Sequence, residues 1–116
     1  MRTLIFDYKE FGTPESEEYL CIATDHVKWW KNVDLFYQET CDMSDLCNFS
    51  VQDLRPETIV NKLKYRARLI QYLQTYANLL LIGNEKCIPL TEEWNINDYL
   101  IYYQHYFVRF HWETTA

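Results

Sequence analysis

The run YLIYYQHYFVRFHW, residues 99–112, constrains the fold more than any other part of the chain. It carries ten apolar or aromatic side chains and one formal charge, Arg109. A surface of that kind is a wall of the core, a platform on which bases stack, or a face covered by another protein. Its periodicity admits two local structures. As a helix, Ile96, Leu100, Tyr103, Phe107 and Phe110 fall on one stripe; as a strand, both faces carry aromatics, as in a central or long hairpin strand. Residue type favours a strand and length favours a helix, because residues 99–112 outrun an ordinary strand. We expect a helix over 92–111, capped by Thr91.

The clearest helical signal lies upstream, in LRPETIVNKLKYRARLIQYLQTYANLLLIGN. Pro56 stands where a first helical residue belongs, and Gly83 with Asn84 lies just past the end. Ile59, Leu63, Ala67, Ile70, Leu73, Ala77 and Leu80 recur every three or four residues, which predicts one helix of about 25 residues, ~37 Å long. A second stripe, Leu69, Tyr72, Tyr76 and Leu79, widens its apolar face. Lys62, Lys64, Arg66 and Arg68 form two neighbouring rows on its first half.

At the N-terminus, MRTLIFDY and YLCIATD read as strands separated by a loop holding Gly12, Thr13 and Pro14, so an antiparallel hairpin of 2–8 with 18–24 is expected. Residues 25–53 stay open between a helix starting at Thr24 or Asp25 and a short turn followed by the strand VDLFYQET; a further short strand is expected near 47–52. The expected architecture is α+β. An N-terminal antiparallel hairpin or small sheet packs against a long central helix and an aromatic-rich C-terminal element, all in a single globular domain spanning residues 1–116.

Composition limits function. With 116 residues, 17% aromatics, two glycines and three prolines, the chain can bury a core without a metal or disulfide staple. No apolar run reaches signal-peptide or membrane-spanning length, so a cytoplasmic protein with no membrane contact is expected, and Cys21, Cys41, Cys47 and Cys87 are expected as free, mostly buried thiols. Cys41 and Cys47, with five residues between them, are wrongly spaced for zinc, and neither metal nor cofactor is expected.

The net charge of −6 is unevenly spread: −7 over residues 1–54, +4 over 55–82 and −3 over the rest. A phosphate backbone would be repelled by most of this surface, so broad nucleic-acid binding is disfavoured, whereas an acidic face suits a basic protein partner.

Catalytic patterns are missing from the sequence. Two isolated glycines cannot build a phosphate-cradling loop, and Ser16, Ser44 and Ser50 lie in no elbow motif. His105 and His111, six apart, do not share a metal on either a helix or a strand. Pairing Cys21 or Cys87 with a histidine would need geometry that sequence does not reveal. The doublets Glu17–Glu18 and Glu92–Glu93 point different ways and read as solvated acids rather than an acid–base pair. Adjacent Trp29 and Trp30 diverge by about 100° on a helix, which leaves at least one partly exposed, as interface anchors often are.

The expected function is therefore not enzymatic. The profile fits a small acidic inhibitory binding protein that neutralises a partner protein by occluding its surface, either a toxin immunity protein or a phage-type inhibitor of a host defence nuclease. The candidate contact residues are Glu17, Glu18, Trp29, Trp30, Asp42, Asp45, Tyr102, His105, Tyr106 and Trp112. The alternative is a nucleic-acid-binding regulator acting through Lys62, Lys64, Arg66 and Arg68. A homodimer is compatible with so many aromatics in so short a chain.

Overall fold

The computed structural model describes residues 3–13, 16–40 and 54–114, with side chains from Glu18 onward in those ranges. The chain builds an antiparallel sheet in the order β1-β2-β6-β5-β4-β3. Five strands are full length: β1 Thr3–Thr13, β2 Ser16–His26, β4 Lys86–Glu93, β5 Ile96–Tyr103 and β6 Tyr106–Thr114. The edge strand β3, Thr58–Ile59, has two residues. Two short helices, α1 Val33–Glu39 and α2 Arg66–Ala77, cover the sheet.

The N-terminal hairpin is present and longer than expected, with Thr3 opposite Thr24 and Thr13 opposite Ser16. The expected long central helix packed against a small sheet is overturned, because the molecule is mostly sheet and has no long central helix among the described residues.

The C-terminal run is not a helix over 92–111. It folds back on itself as β5 and β6, with Tyr103 opposite Tyr106 and the turn made by Gln104 and His105. Gln104 takes the left-handed conformation, φ 54°, that a two-residue hairpin loop demands. The hairpin removes the objection of length: each strand is ordinary, and their cross-strand pairs Tyr99–Phe110 and Ile101–Val108 bury β-favouring side chains.

The segment expected as one helix is broken into pieces. Thr58–Ile59 pairs with β4, a single 3-10 turn spans Val60–Lys62, and α2 begins only at Arg66. It ends at Asn78, φ 56°, where the left-handed residue stops the helix and the Leu79 N–H donates to the Leu73 carbonyl. The helical spacing misleads because Val60, Leu63, Leu69 and Leu73 all reach one core by different local routes. Within α2, Leu69 and Leu73 are buried while Ala67 is exposed, so the buried face does not follow the first stripe.

In the ambiguous region, neither a helix from Thr24 nor the strand VDLFYQET forms. β2 runs to His26, a 3-10 turn covers Val27–Trp29, and α1 starts where the Asn32 side chain accepts from the Leu35 N–H. Val33, Phe36 and Tyr37 form its buried face. The strand expected near 47–52 lies outside the described residues.

Strand alternation separates two cores. One face of the sheet presents Leu20, Ile22, Cys87, Tyr99, Ile101, Val108, Phe110 and Trp112 to α2 and to Val60 and Leu63. The other presents Ala23, Ile88, Leu100 and Phe107 to α1. β6 lies between β2 and β5 and is paired along its length on both sides. Pro89, which has no N–H to give a ladder, sits in β4 beyond the two positions that β3 pairs, and a register shift follows it.

Gly83 illustrates how tightly the β3–β4 corner closes. Its φ is +102°, its carbonyl accepts from the Asn61 N–H, and a Cβ there would collide with the Asn61 side chain. Gly83→Ala is expected to cost more than about 1 kcal/mol, since both the backbone and the space oppose it. Leu73→Ala, which empties a fully buried site, should cost about 2–5 kcal/mol. Urea melts of both variants check these values.

Candidate interaction surface

Polar chemistry inside the fold is used to hold it together. On the α1 face, Arg109 makes a bidentate ion pair with Asp98, Nε to Oδ1 at 2.8 Å and Nη2 to Oδ2 at 2.7 Å. Its Nη1 donates to the Tyr37 carbonyl at 3.2 Å and to Thr40 Oγ1 at 3.4 Å, so the guanidinium fastens the end of α1 to the sheet. It also lies over the Tyr37 ring, 4.4 Å from the centroid. His111 Nδ1 stands 3.2 Å from Asp98 Oδ2. Burial alone would raise the Asp98 pKa, but the Arg109 charge and the hydrogen bonds from His111 and Arg109 outweigh it and hold the carboxyl well below the usual carboxylate range.

Cys21 faces His111 across the β2–β6 ladder. Cys21, His111 and Asp98 therefore stand in one row across β2, β6 and β5. All three residues are buried, and Asp98 is committed to Arg109, which makes the row part of the interior. The other described cysteine, Cys87, is buried as well, and burial with Glu92 nearby pushes its thiol up to about 12. Among the described residues no group of three His, Cys, Asp or Glu is placed to hold a metal ion.

On the α2 face, Glu18 accepts from Tyr72 Oη at 2.7 Å and from Trp112 Nε1 at 2.8 Å. Burial and this carboxylate push the Tyr72 hydroxyl up to about 12. Arg68 stacks on the Trp112 ring at 3.7 Å and donates to Asn97 Oδ1 at 2.8 Å.

These contacts sort the residues singled out from sequence. Glu18 and Trp112 are spent internally, Trp112 being 4% exposed. Trp30 is half-buried, donating from Nε1 to Asp25 Oδ2 and packing edge-on against Phe36. Tyr102 is half-buried against Phe107. Trp29 at 55% exposure, His105, and Tyr106 at 41% lie on the surface. Glu17 is in β2 opposite Gly12, its side chain outside the described set, and Asp42 and Asp45 lie outside the described residues.

The four cations do not form one helical strip. Lys62 closes the 3-10 turn and Lys64 precedes α2, its N–H donating to Glu92. Arg66 donates to the Leu63 carbonyl at the start of α2, and Arg68 turns inward.

Exposed apolar residues gather instead around the β5–β6 turn. On one flank the Val27 N–H donates to the His105 carbonyl at 2.9 Å, which docks the 3-10 turn carrying Trp29 onto the hairpin tip. There the His26 and His105 rings stack with centroids 6.0 Å apart, and Tyr106 meets His26 edge-on at 5.3 Å. The Lys28 N–H donates to His26 Nδ1, and Lys28 Nζ lies 5.1 Å from the Trp29 ring.

On the other flank an open groove of about 460 Å³ runs between Leu80 and Ile82 on one side and Tyr102, Tyr103 and Gln104 on the other. Glu85 accepts from the Ile82 and Gly83 N–H groups and fixes the loop that displays Ile82, 78% exposed. The sequence holds no periodic sign of Leu80 and Ile82 as surface residues, since they follow directly on a helical pattern. For His26, Lys28 and Lys31 the sign is present in HVKWWK, where lysines flank the tryptophan pair.

No family model, curated protein or solved structure matches the chain. No helix among the described residues is long and apolar enough to cross a membrane.

Removing one member of the buried pair leaves the other charge uncompensated, so Arg109→Met should destabilise the protein by about 3–5 kcal/mol. Because the folded-state pKa of Asp98 is depressed, its contribution is full above the unfolded value of about 4 and is lost as pH falls below it. Tyr72 acts in the opposite direction: raised to about 12, it withdraws its contribution as pH rises from about 10 toward 12. Chemical denaturation across these two windows, in wild type and in Asp98→Asn and Tyr72→Phe, checks both signs.

Proposed function

We propose that this is a small binding protein that neutralises a partner protein by occluding its surface, and that the end of the sheet around the β5–β6 turn makes the contact. The observation that carries the reading is the gathering of Trp29, Leu80, Ile82 and Tyr106, all exposed, on the two flanks of one short hairpin turn. Elsewhere Leu35, Tyr76 and Trp94, the last in the β4–β5 turn at the far end of β5, are exposed as well. Large side chains on segments tied to the sheet by backbone hydrogen bonds are suited to be interface anchors, since little backbone order has to be created on binding.

The formal charge of −6 supports a partner with a basic surface, reached by electrostatic steering and met in the cytoplasm. A toxin neutralised by an immunity protein, or a host defence nuclease blocked by a phage-type inhibitor, has that character. The binding role needs no catalytic group of its own.

Affinity purification of the full chain from its native cells should recover a protein partner in a fixed ratio, with capture reduced by Trp29→Ala and by Leu80→Ser with Ile82→Ser. All three residues are exposed, so these variants should keep the wild-type melt. The reading fails if no stable partner is recovered, or if capture is indifferent to both sets of changes.

A further inference from the structure

In the linear sequence, Asp25, Asp34 and Glu39 surround the tryptophan pair and argue against an anion-binding role. In the fold, two of these acids turn inward. Asp25 is 3% exposed; its Oδ1 accepts from the His26 N–H and its Oδ2 from Trp30 Nε1. Asp34 is half-buried and accepts from the Leu54 N–H at 3.0 Å. Lys28, whose Nζ lies 5.1 Å from the Trp29 ring, and Lys31, two residues further along the chain from Trp29, are by contrast exposed. The two segments that meet here, residues 26–33 and 102–108, contain no acid at all. Among the described residues, exposed lysines and rings therefore meet at this end of a molecule whose overall charge is negative.

We infer that the patch formed by His26, Lys28, Trp29, Lys31, His105 and Tyr106 docks an acidic segment of the partner protein. This rests on the binding-protein reading and deepens it. Carboxylates of that segment meet Lys28 and Lys31, and its apolar side chains lie on Trp29 and Tyr106. The reversal of polarity fixes orientation: the net negative charge of the chain draws it toward the partner's basic surface from a distance, and the contacting end of the sheet seats an acidic spot within that surface.

The same residue types also stack single-stranded nucleic acid. A protein segment is favoured because the cationic area is small. A polyanion extending past it would run over a surface of net negative charge, whereas a short acidic stretch ends where the patch ends.

Fluorescence anisotropy with three labelled probes tests the inference: a peptide alternating glutamate and leucine, its lysine counterpart, and an oligothymidylate of similar length, all at physiological salt. The glutamate peptide should bind and the lysine peptide should not. Lys28→Glu with Lys31→Glu, and separately Trp29→Ala, should each weaken binding about tenfold or more. The inference is overturned if the two peptides bind alike, if neither variant weakens the glutamate peptide, or if oligothymidylate binds more tightly through the same residues. It also fails, while the binding-protein reading survives, if a captured partner is lost on Leu80→Ser with Ile82→Ser yet held unchanged by the double lysine reversal. Peptide binding at the patch with no recoverable partner does the reverse: the site for an acidic segment stands and the binding-protein reading fails.

Discussion

The ion pair between Arg109 and Asp98 is the contact on which the two halves of the molecule depend. It lies on β6 and β5, the inner strands, and both residues are fully buried. A guanidinium out of water is tolerable only if nearly every N–H has an acceptor. Here Asp98 takes two, and the end of α1 accepts from Nη1 through the Tyr37 carbonyl and Thr40. Satisfying one buried charge thus sets where α1 sits. That in turn places Phe36 against Trp30 and Phe107, beside the surface on which Trp29 stands.

A comparable division of labour holds on the α2 face. Glu18 joins β2, α2 and β6 by accepting from Tyr72 and Trp112, while Arg68 covers the Trp112 ring. Several residues with conspicuous chemistry are therefore occupied in keeping the layers in place. At the end of the sheet, the β5–β6 turn, the 82–85 loop and the 3-10 turn after β2 carry aromatic and apolar side chains outward on backbones fixed by hydrogen bonds.

Parts of this were legible in the residues. The N-terminal hairpin was, because a turn cluster separates two β-favouring runs. For the 99–112 run the residues left core and interaction surface both open, and the structure buries much of it. Its strand character was outweighed by length, for want of a sign that Gln104 adopts φ 54° and turns the chain in two residues. The false long helix arose because Val60, Leu63, Leu69 and Leu73 keep close to a helical spacing while belonging to a 3-10 turn, a bend and a shorter helix that share one core. Of the proposed contact residues, Trp29, His105 and Tyr106 are on the surface; Trp112 is not, because Glu18 and Arg68 claim both its N–H and its ring face.

By itself the sequence determined that this chain buries an aromatic core, carries net negative charge, begins with a hairpin and lacks the glycine-rich loops of phosphate-binding folds, since these depend on composition and local turn chemistry alone. Only the tertiary structure decided that Arg109 is an internal tie, that the 62–68 cations are not one strip, and that lysines and rings converge around the β5–β6 turn with Asp25 turned inward. These depend on which strands become neighbours. Strand pairing sets each side chain's face and partners through contacts such as the one between Glu18 and Trp112, which are 94 residues apart and leave no trace in local periodicity.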